Sequence, residues 1–190
     1  ERADVLGGRV TREATLKGLS AWGRVKDYRI YHLQQMGNVS LYTESEIAAS
    51  DVHDFDADHV LVATGATWRA DGVGASGFHP IPGFAGDVLT PDDVIDGRGI
   101  KGPVVIYDDD HYYMGNVLAG HLACLGHEVH LVCPLPGIAE WMGYTLESPR
   151  VISEMMALGV EMYPNTTATQ WTGQRLEIAR SDTGGALPPI

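Results

Sequence analysis

Residues 103–132 read PVVIYDDDHYYMGNVLAGHLACLGHEVHLV, and their pattern predicts the fold of the chain's second half. The apolar run Pro103–Ile106 has the length and the β-branched content of a buried strand. A helix from about Met114 to Leu125 follows, with apolar residues on one face, and Gly126 ends it. Val129–Val132 is a second buried strand. This order of strand, helix and strand predicts a βαβ unit with two parallel strands.

The loop between the first strand and the helix lacks the glycines that a bound dinucleotide requires. A working loop has the pattern G-x-G-x-x-G, because glycines let the backbone approach the pyrophosphate. With Gly115 aligned to the third glycine, Asp110 and Tyr112 stand at the first two positions. The second strand ends in Cys133-Pro134, without a carboxylate for a ribose or an arginine for a 2′-phosphate. We therefore predict a dinucleotide-binding fold that does not bind NAD(P)H.

Shorter patterns predict the elements on either side of this unit. Upstream we expect an amphipathic helix within 11–36 that ends at Gly37-Asn38, short strands at Val39–Tyr42 and His59–Ala63, and a partly helical segment at Ile47–Asp58. Downstream we expect a short helix starting at Thr90-Pro91, a helix at Pro149–Leu158, strands at Val160–Tyr163 and within Ala168–Ile178, and a frayed tail after Ser181.

A second set of residues resembles a nucleotide cleft. Glu1 precedes the pair Gly7 and Gly8, and an acidic residue at the end of a strand can bind the ribose of adenosine. The buried run VLVATGA ends in Thr64 and Gly65, where glycine permits close backbone approach. Each signal alone is also explained by an ordinary turn or strand exit. Together they predict that Glu1, Gly7, Gly8, Thr64 and Gly65 bind a cofactor.

These patterns predict an α/β fold class. We expect a partial, dinucleotide-binding (Rossmann-like) three-layer domain over 1–70 and a connection rich in Gly, Pro and Asp over 71–103. An inserted NAD-like α/β domain and tail follow over 104–190. Because the chain opens at Glu1 in the middle of a motif, we expect it to be a fragment of a larger protein.

Composition restricts the possible partners. The 190 residues carry a net charge of -12, which disfavours nucleic-acid binding since that requires clustered Lys and Arg. No apolar run reaches the roughly 20 residues of a membrane span, so we expect a cytoplasmic protein without a membrane partner. The only cysteines, Cys124 and Cys133, stand in apolar context and are predicted to be buried thiols.

No metal site and no catalytic residue is predicted within the chain. The acids and histidines at 108–111 and at 53–59 could ligate a divalent cation, but solvated loop acids are the preferred interpretation. Two cysteines cannot supply the four ligands of an iron–sulfur cluster.

Several stretches together resemble one family. They are GGRV, GLSAWGRVKDYR, VLVATGATWRADG, HPIPG, LTPDDVIDG, VVIYDDDHYYMG, LGHEVHLV and YTLESP. They are similar to the C-terminal half of the trimethylamine, dimethylamine and histamine dehydrogenases, and most similar to the histamine dehydrogenases. The resemblance covers nearly the whole chain.

The resemblance implies an enzyme that oxidatively deaminates or demethylates a small amine and passes electrons to an electron-transfer flavoprotein. It implies FMN and a [4Fe–4S] cluster in an N-terminal barrel outside these residues, and ADP, in place of FAD, near Glu1, Gly7, Gly8, Thr64 and Gly65. It implies partner docking at Tyr112 and a homodimeric full-length protein. The fragment itself is expected to be an inactive structural, nucleotide-binding and docking module.

Two other interpretations remain open at this point. A barrel-type NAD(P)H-dependent ene reductase of the dienoyl-CoA reductase kind would share this domain order, but the loop 107–115 lacks its glycines. A free-standing interaction module is a non-enzymatic alternative. The start at Glu1 disfavours it, since a domain without its first strand exposes an unpaired sheet edge.

Overall fold

The computed structural model describes residues 1–84, 86 and 88–190, which divide into two compact units. The first unit comprises Glu1–Thr67 and the second Trp68–Ile190. The division into 1–70, 71–103 and 104–190 predicted from the sequence stays a prediction.

The regular secondary structure of the first unit is helical. Helix α1 spans Gly8–Glu13 and helix α2 spans Gly23–Gln35, with single 3-10 segments at Ser20–Trp22 and Asp51–Phe55. The end of α2 before Gly37 and the partly helical segment after Ile47 agree with the sequence patterns. None of residues 1–67, all of which the structure describes, belongs to a strand.

The predicted strands at Val39–Tyr42 and His59–Ala63 are therefore wrong for this unit. Leu61 is 90% exposed and Val62 is 80% exposed. A strand of a parallel sheet needs neighbouring strands to pair its backbone and cover both faces. The first unit contains no such neighbour, so this apolar run lies unpaired on its surface.

The second unit is built on the predicted βαβ arrangement. Its elements, in order, are α3 (Pro91–Ile95), β1 (Val104–Tyr107), α4 (Met114–Cys124), β2 (Val129–Val132), a 3-10 segment (Glu140–Gly143), α5 (Ser148–Ala157), β3 (Glu161–Tyr163), β4 (Thr166–Trp171), β5 (Leu176–Arg180) and β6 (Ala186–Leu187). Strands β1, β2 and β3 form a parallel sheet in that spatial order. The predicted βαβ unit is confirmed.

Local chemistry explains where the helices begin and end. The side chain of Thr90 caps α3, because its Oγ1 accepts from the backbone N–H of Asp93 while the Asp93 carboxylate accepts from the N–H of Thr90. Gly126 and Gly159 follow α4 and α5 with φ of 91° and 74°. Glycine takes this left-handed conformation without strain, which stops each helix.

The two faces of the parallel sheet are covered by different layers. Helices α4 and α5 pack on one face around Leu131, with Ala119, Leu122, Val151 and Met155 in the same core. The antiparallel sheet β4–β5–β6 covers the other face, where the buried contacts include Val132, Ala168, Leu176 and Ile178. The result is a mixed α/β unit with helices on one face of its parallel sheet and an antiparallel sheet on the other.

The tail after Ser181 is not frayed as predicted. Strand β6 pairs with β5, and the backbone of Ile190 exchanges hydrogen bonds of 2.8 and 3.1 Å with Leu176. The short tail, rich in Gly and Pro, gave no local signal for this pairing, because its partner lies on β5. No helix in the described part of the chain is long and apolar enough to cross a membrane.

Candidate functional site

The loop that follows β1 lies at the carboxyl end of the parallel sheet, where α/β proteins bind their ligands. The backbone N–H of Asp108 still donates to the carbonyl of Val132, at 2.9 Å, so the loop leaves the sheet at this residue. Asp108, Asp109 and His111 are all buried, whereas Asp110 is exposed. Three of the four residues expected to be solvated are therefore in the interior. Asp109 and His111 have side-chain partners that are distant in the sequence, whereas Asp108 accepts hydrogen bonds from the backbone of its own loop.

Asp109 joins this loop to the turn at residues 74–77. Its carboxylate accepts hydrogen bonds of 3.0 Å from the backbone N–H groups of Ser76 and Gly77. The backbone N–H of Ala75 donates to the Asp109 carbonyl at 3.1 Å. A Cβ on Gly74 would collide with the same carboxylate, which explains the glycine there.

His111 extends this network in two directions. Its Nε2 lies 2.8 Å from Oδ1 of Asp109 and 3.1 Å from Oγ of Ser76. Its Nδ1 lies 3.5 Å from Sγ of Cys133 at the end of β2. His111 adopts a left-handed φ of 64°, a costly conformation for a buried non-glycine residue, and these contacts hold it there.

This Cys–His–Asp arrangement is not apparent from the sequence. Only the run at 108–111 could have drawn attention to it, since Ser76 and Cys133 are 35 and 22 residues from His111. The arrangement resembles an activated nucleophile, but Cys133 is fully buried and burial raises the pKa of its thiol to about 12. A neutral, inaccessible thiol is not a nucleophile. The network is therefore structural.

Asp108 fills the space beneath the first turn of α4. Its Oδ1 accepts from the backbone N–H groups of Asp110 and His111, at 3.2 and 3.1 Å. Its Oδ2 is buried without a hydrogen-bond partner, and burial raises the pKa of this carboxyl. A Cβ on Gly115 would lie 2.5 Å from the Asp108 carboxyl carbon.

The residues at the two aligned glycine positions are thus not the residues whose side chains fill the interior of the loop. The sequence placed the obstacles to a pyrophosphate at Asp110 and Tyr112, both of which are exposed in the structure. The carboxyl groups that occupy the loop interior belong to Asp108 and Asp109. The absence of NAD(P)H binding stays a prediction, and these two side chains supply a further physical reason for it.

Tyr112 forms part of an exposed aromatic strip, which we define as Tyr112, Trp141 and Tyr144. The ring of Trp141 lies 6.3 Å from that of Tyr112 and 6.1 Å from that of Tyr144. The three side chains are 45%, 47% and 86% exposed, respectively. The backbone N–H of Trp141 donates to the His111 carbonyl, which fixes the strip to the buried network. Of these three residues, only Tyr112 is predicted from the sequence, because Trp141 and Tyr144 belong to a distant segment.

In the first unit, one hydrogen bond connects two of the predicted nucleotide segments. The guanidinium of Arg9, directly after Gly8, donates to the carbonyl of Ala66, directly after Gly65, at 2.9 Å. Gly7, Gly8 and Gly65 have positive φ values of 115°, 44° and 80°. A Cβ on Gly8 or Gly65 would meet nothing within 4 Å, so the backbone is open at both places.

Glu1 is placed by other contacts. Its amino group donates to the Tyr42 carbonyl at 3.0 Å, and its carboxylate accepts from the N–H of Ala3 at 3.0 Å. That last hydrogen bond lowers the pKa of the exposed Glu1 carboxyl, which keeps it ionised. Binding of a cofactor by Glu1, Gly7, Gly8, Thr64 and Gly65 stays a prediction.

One of the two cysteines differs from expectation. Cys133 is buried as predicted, but Cys124 at the end of α4 is exposed. Within residues 1–84, 86 and 88–190, no three His, Cys, Asp or Glu side chains form a group that could hold a metal ion.

The fold and the site define a mixed α/β domain with a parallel sheet whose ligand loop is filled by its own carboxyl groups. The chain belongs to the family of the OYE-like second alpha/beta domain, which it matches over residues 89–186. It is homologous to the dimethylamine dehydrogenase of Hyphomicrobium sp. (strain x), with 33% identity over 183 residues. The family predicted from the motifs is confirmed.

The chain is also similar to the solved structures of an amine oxidase and a histamine dehydrogenase. The chain is 42% identical to the 6-hydroxypseudooxynicotine amine oxidase of Pseudomonas geniculata N1, with a TM-score of 0.93, and 40% identical to the histamine dehydrogenase of Rhizobium sp. 4-9, with a TM-score of 0.92. Both similarities cover 100% of this chain, but only 28% and 30% of those proteins. The match to dimethylamine dehydrogenase covers 90% of this chain and 24% of that protein. The chain thus spans about a quarter of the length of these oxidoreductases.

Proposed function

We propose that this chain is the C-terminal part of a larger flavin- and iron–sulfur-dependent amine dehydrogenase. The enzyme removes electrons from a small amine, with oxidative deamination or demethylation, and passes them to an electron-transfer flavoprotein. The part contained in these residues stabilises the enzyme, binds a nucleotide and docks the partner. Homology to amine dehydrogenases and an amine oxidase supports the reaction class.

The main observation that supports this proposal is that two carboxyl side chains fill the loop after β1. Asp108 packs against Gly115 at the start of α4, and Asp109 occupies the turn at 74–77. A pyrophosphate would have to displace both carboxyl groups. The second unit therefore does not supply hydride from NAD(P)H, and the electrons come from the amine.

The nucleotide of the first unit is proposed to be ADP. The open backbone at Gly8 and Gly65 fits a ligand that approaches the chain closely, and the ionised carboxylate of Glu1 fits a ribose. The side chain of Lys26 lies beside Gly7, where its charge would favour a phosphate. The FMN and the [4Fe–4S] cluster are assigned to the part of the enzyme outside this chain, since its two cysteines are too few for a cluster.

The electron-transfer flavoprotein is proposed to dock at Tyr112. Exposed aromatic side chains are enriched in protein interfaces, and the aromatic strip provides three of them in ring contact. The exposed acids Asp110 and Glu140 adjoin the strip in sequence and favour a partner with a basic rim. A hydrogen bond from the Trp141 N–H to the His111 carbonyl connects the strip to the buried network.

Stopped-flow spectroscopy of the full-length enzyme tests the proposal. We expect Tyr112→Ala to leave the reduction of the enzyme by its amine unchanged and to slow electron passage to the acceptor flavoprotein. Tyr42→Ala, which removes an exposed tyrosine of the first unit, is the matched control and is expected to change neither half-reaction. Equal second-half rates for Tyr112→Ala and the parent, or a loss confined to the first half, would exclude docking at Tyr112. If none of the small amines reduces the enzyme, the proposed activity is excluded.

A further inference from the structure

The turn at residues 74–77 has the geometry of an anion-binding site. Two consecutive backbone N–H groups, those of Ser76 and Gly77, converge on one carboxylate at 3.0 Å. The turn closes on itself through a 3.0 Å hydrogen bond from the N–H of Gly74 to the carbonyl of Gly77. Successive N–H groups in such a concave turn form a nest, which proteins use to bind phosphate and other anions.

The ligand of this nest belongs to the protein itself. Asp109 reaches the turn across 32 residues of sequence, and its side chain is 5% exposed. Its remaining partner is Nε2 of His111, at 2.8 Å. The Asp109 carboxylate is thus surrounded by hydrogen-bond donors, as a bound oxyanion would be.

The same loop carries a second buried carboxyl group. Oδ2 of Asp108 has no hydrogen-bond partner although the side chain is buried. It lies against Gly115 in the first turn of α4. In a working dinucleotide domain this helix start faces the pyrophosphate. Two carboxyl groups therefore occupy the region where the fold would otherwise hold phosphates.

We propose that residues 74–77 form an oxyanion-binding nest whose resident ligand is the side chain of Asp109, and that the nest binds free carboxylate or phosphate ions when this side chain is removed. Asp109 acts as an internal substitute for a ligand. It fastens the loop after β1 to the 74–77 turn and excludes an external anion from the same N–H groups.

Hydrogen–deuterium exchange of the full-length enzyme, followed by mass spectrometry, tests this proposal locally. In Asp109→Ala we expect the amides of the peptide covering 74–77 to exchange about tenfold faster, because a charge-assisted hydrogen bond is lost. Adding acetate, or inorganic phosphate, at a constant ionic strength set with chloride should slow the exchange again in a saturable manner. The parent should not respond to either ion, since its nest is filled.

The neighbouring exposed acid provides a matched control. Asp110→Ala removes the same charge from the same loop without touching the nest, so we expect parent-like exchange with no response to anions. Unaccelerated exchange in Asp109→Ala would overturn the proposal. So would acceleration that acetate and phosphate reverse no better than chloride. Rescue by acetate alone would restrict the nest to carboxylates, and rescue by both ions supports a general oxyanion site.

A second variant keeps the proposal testable if Asp109→Ala does not fold. Asp109→Asn retains the shape of the side chain but presents an amide to the converging N–H groups. We expect exchange at 74–77 to rise by a smaller factor than in Asp109→Ala, with no anion response, because the amide still blocks the nest. Exchange equal to that of the parent would show that the carboxylate is not the required ligand.

Discussion

The carboxylate of Asp109 and the imidazole of His111 form a buried pair, with 2.8 Å between Oδ1 and Nε2. Neither side chain is more than 5% exposed. The pair connects the loop after β1 with the 74–77 turn on one side. On the other side it contacts Cys133, which directly follows β2. It therefore makes the loop that carries Tyr112 a rigid part of the unit, and its loss should be costly.

The first prediction concerns the stability provided by this pair. His111→Ala leaves Asp109 buried without its aromatic partner and opens a cavity, so we expect the free energy of unfolding to fall by about 3 kcal/mol. Urea denaturation followed by tryptophan fluorescence measures the change. His79→Ala removes an exposed histidine of the same unit and is expected to stay within about 0.5 kcal/mol of the parent. A similar loss in both variants would contradict a special role for His111.

The second prediction concerns alkaline pH. Burial raises the pKa of the Tyr107 hydroxyl from 10.0 to about 12 and that of the Cys133 thiol from 9.0 to about 12. The folded protein thus keeps protons that the unfolded chain releases, so this stability is complete below about pH 9 and is lost as pH rises toward 12. Tyr107→Phe should flatten the decline between pH 10 and 12, whereas the exposed Tyr42→Phe should not. A parent whose denaturation midpoint does not fall over this range would contradict the assignment.

The third prediction separates backbone strain from steric conflict at two glycines. Gly83 and Gly126 have φ values of 86° and 91°, but a Cβ on Gly83 would collide with the carbonyl of Trp171, while one on Gly126 would meet nothing within 4 Å. We expect Gly126→Ala to cost about 1 kcal/mol and Gly83→Ala about 2 kcal/mol more. Denaturation midpoints of the two variants measure the difference. Equal losses would show that the contact at Gly83 relaxes without cost.

The fourth prediction is that NADH and NADPH do not bind the second unit. Asp108 and Asp109 fill the loop interior and would repel a pyrophosphate. Isothermal titration of the 190-residue chain should show no binding heat, with an NADH-dependent dehydrogenase in the same buffer as the positive control. A micromolar dissociation constant for either cofactor would refute the prediction and would favour a hydride-accepting reductase.

The fifth prediction concerns nucleotide binding in the first unit. In the full-length protein, Glu1→Ala should lower the ADP content of the purified enzyme, because a carboxylate that binds the ribose is lost. Chromatography of the nucleotide released by acid measures the occupancy. Glu46→Ala, which removes another exposed acid of the same unit, should leave it unchanged. Unchanged ADP content in Glu1→Ala would remove Glu1 from the cleft.

Elements whose signals are local could be predicted from the amino-acid sequence alone. The run PVVI, the helical pattern after Met114 and the run VHLV specified β1, α4 and β2, since hydrophobic periodicity and length separate strands from helices. The caps at Thr90 and Gly159 likewise depend on residues within one turn of the helix end. The family followed from motifs distributed along the chain, and homology confirmed it.

The burial of polar residues and the pairing of apolar segments, in contrast, depend on tertiary contacts. The partners of Asp109 in the turn are 32 and 33 residues away, and Cys133 is 22 residues from His111, so DDDH reads as a solvated loop when it stands alone. The strand predicted at HVLVA is absent for a related reason. It would need neighbouring strands to pair with, and the first unit does not provide them. Burial and strand pairing depend on contacts between distant segments, whereas a sequence pattern records only the neighbours along the chain.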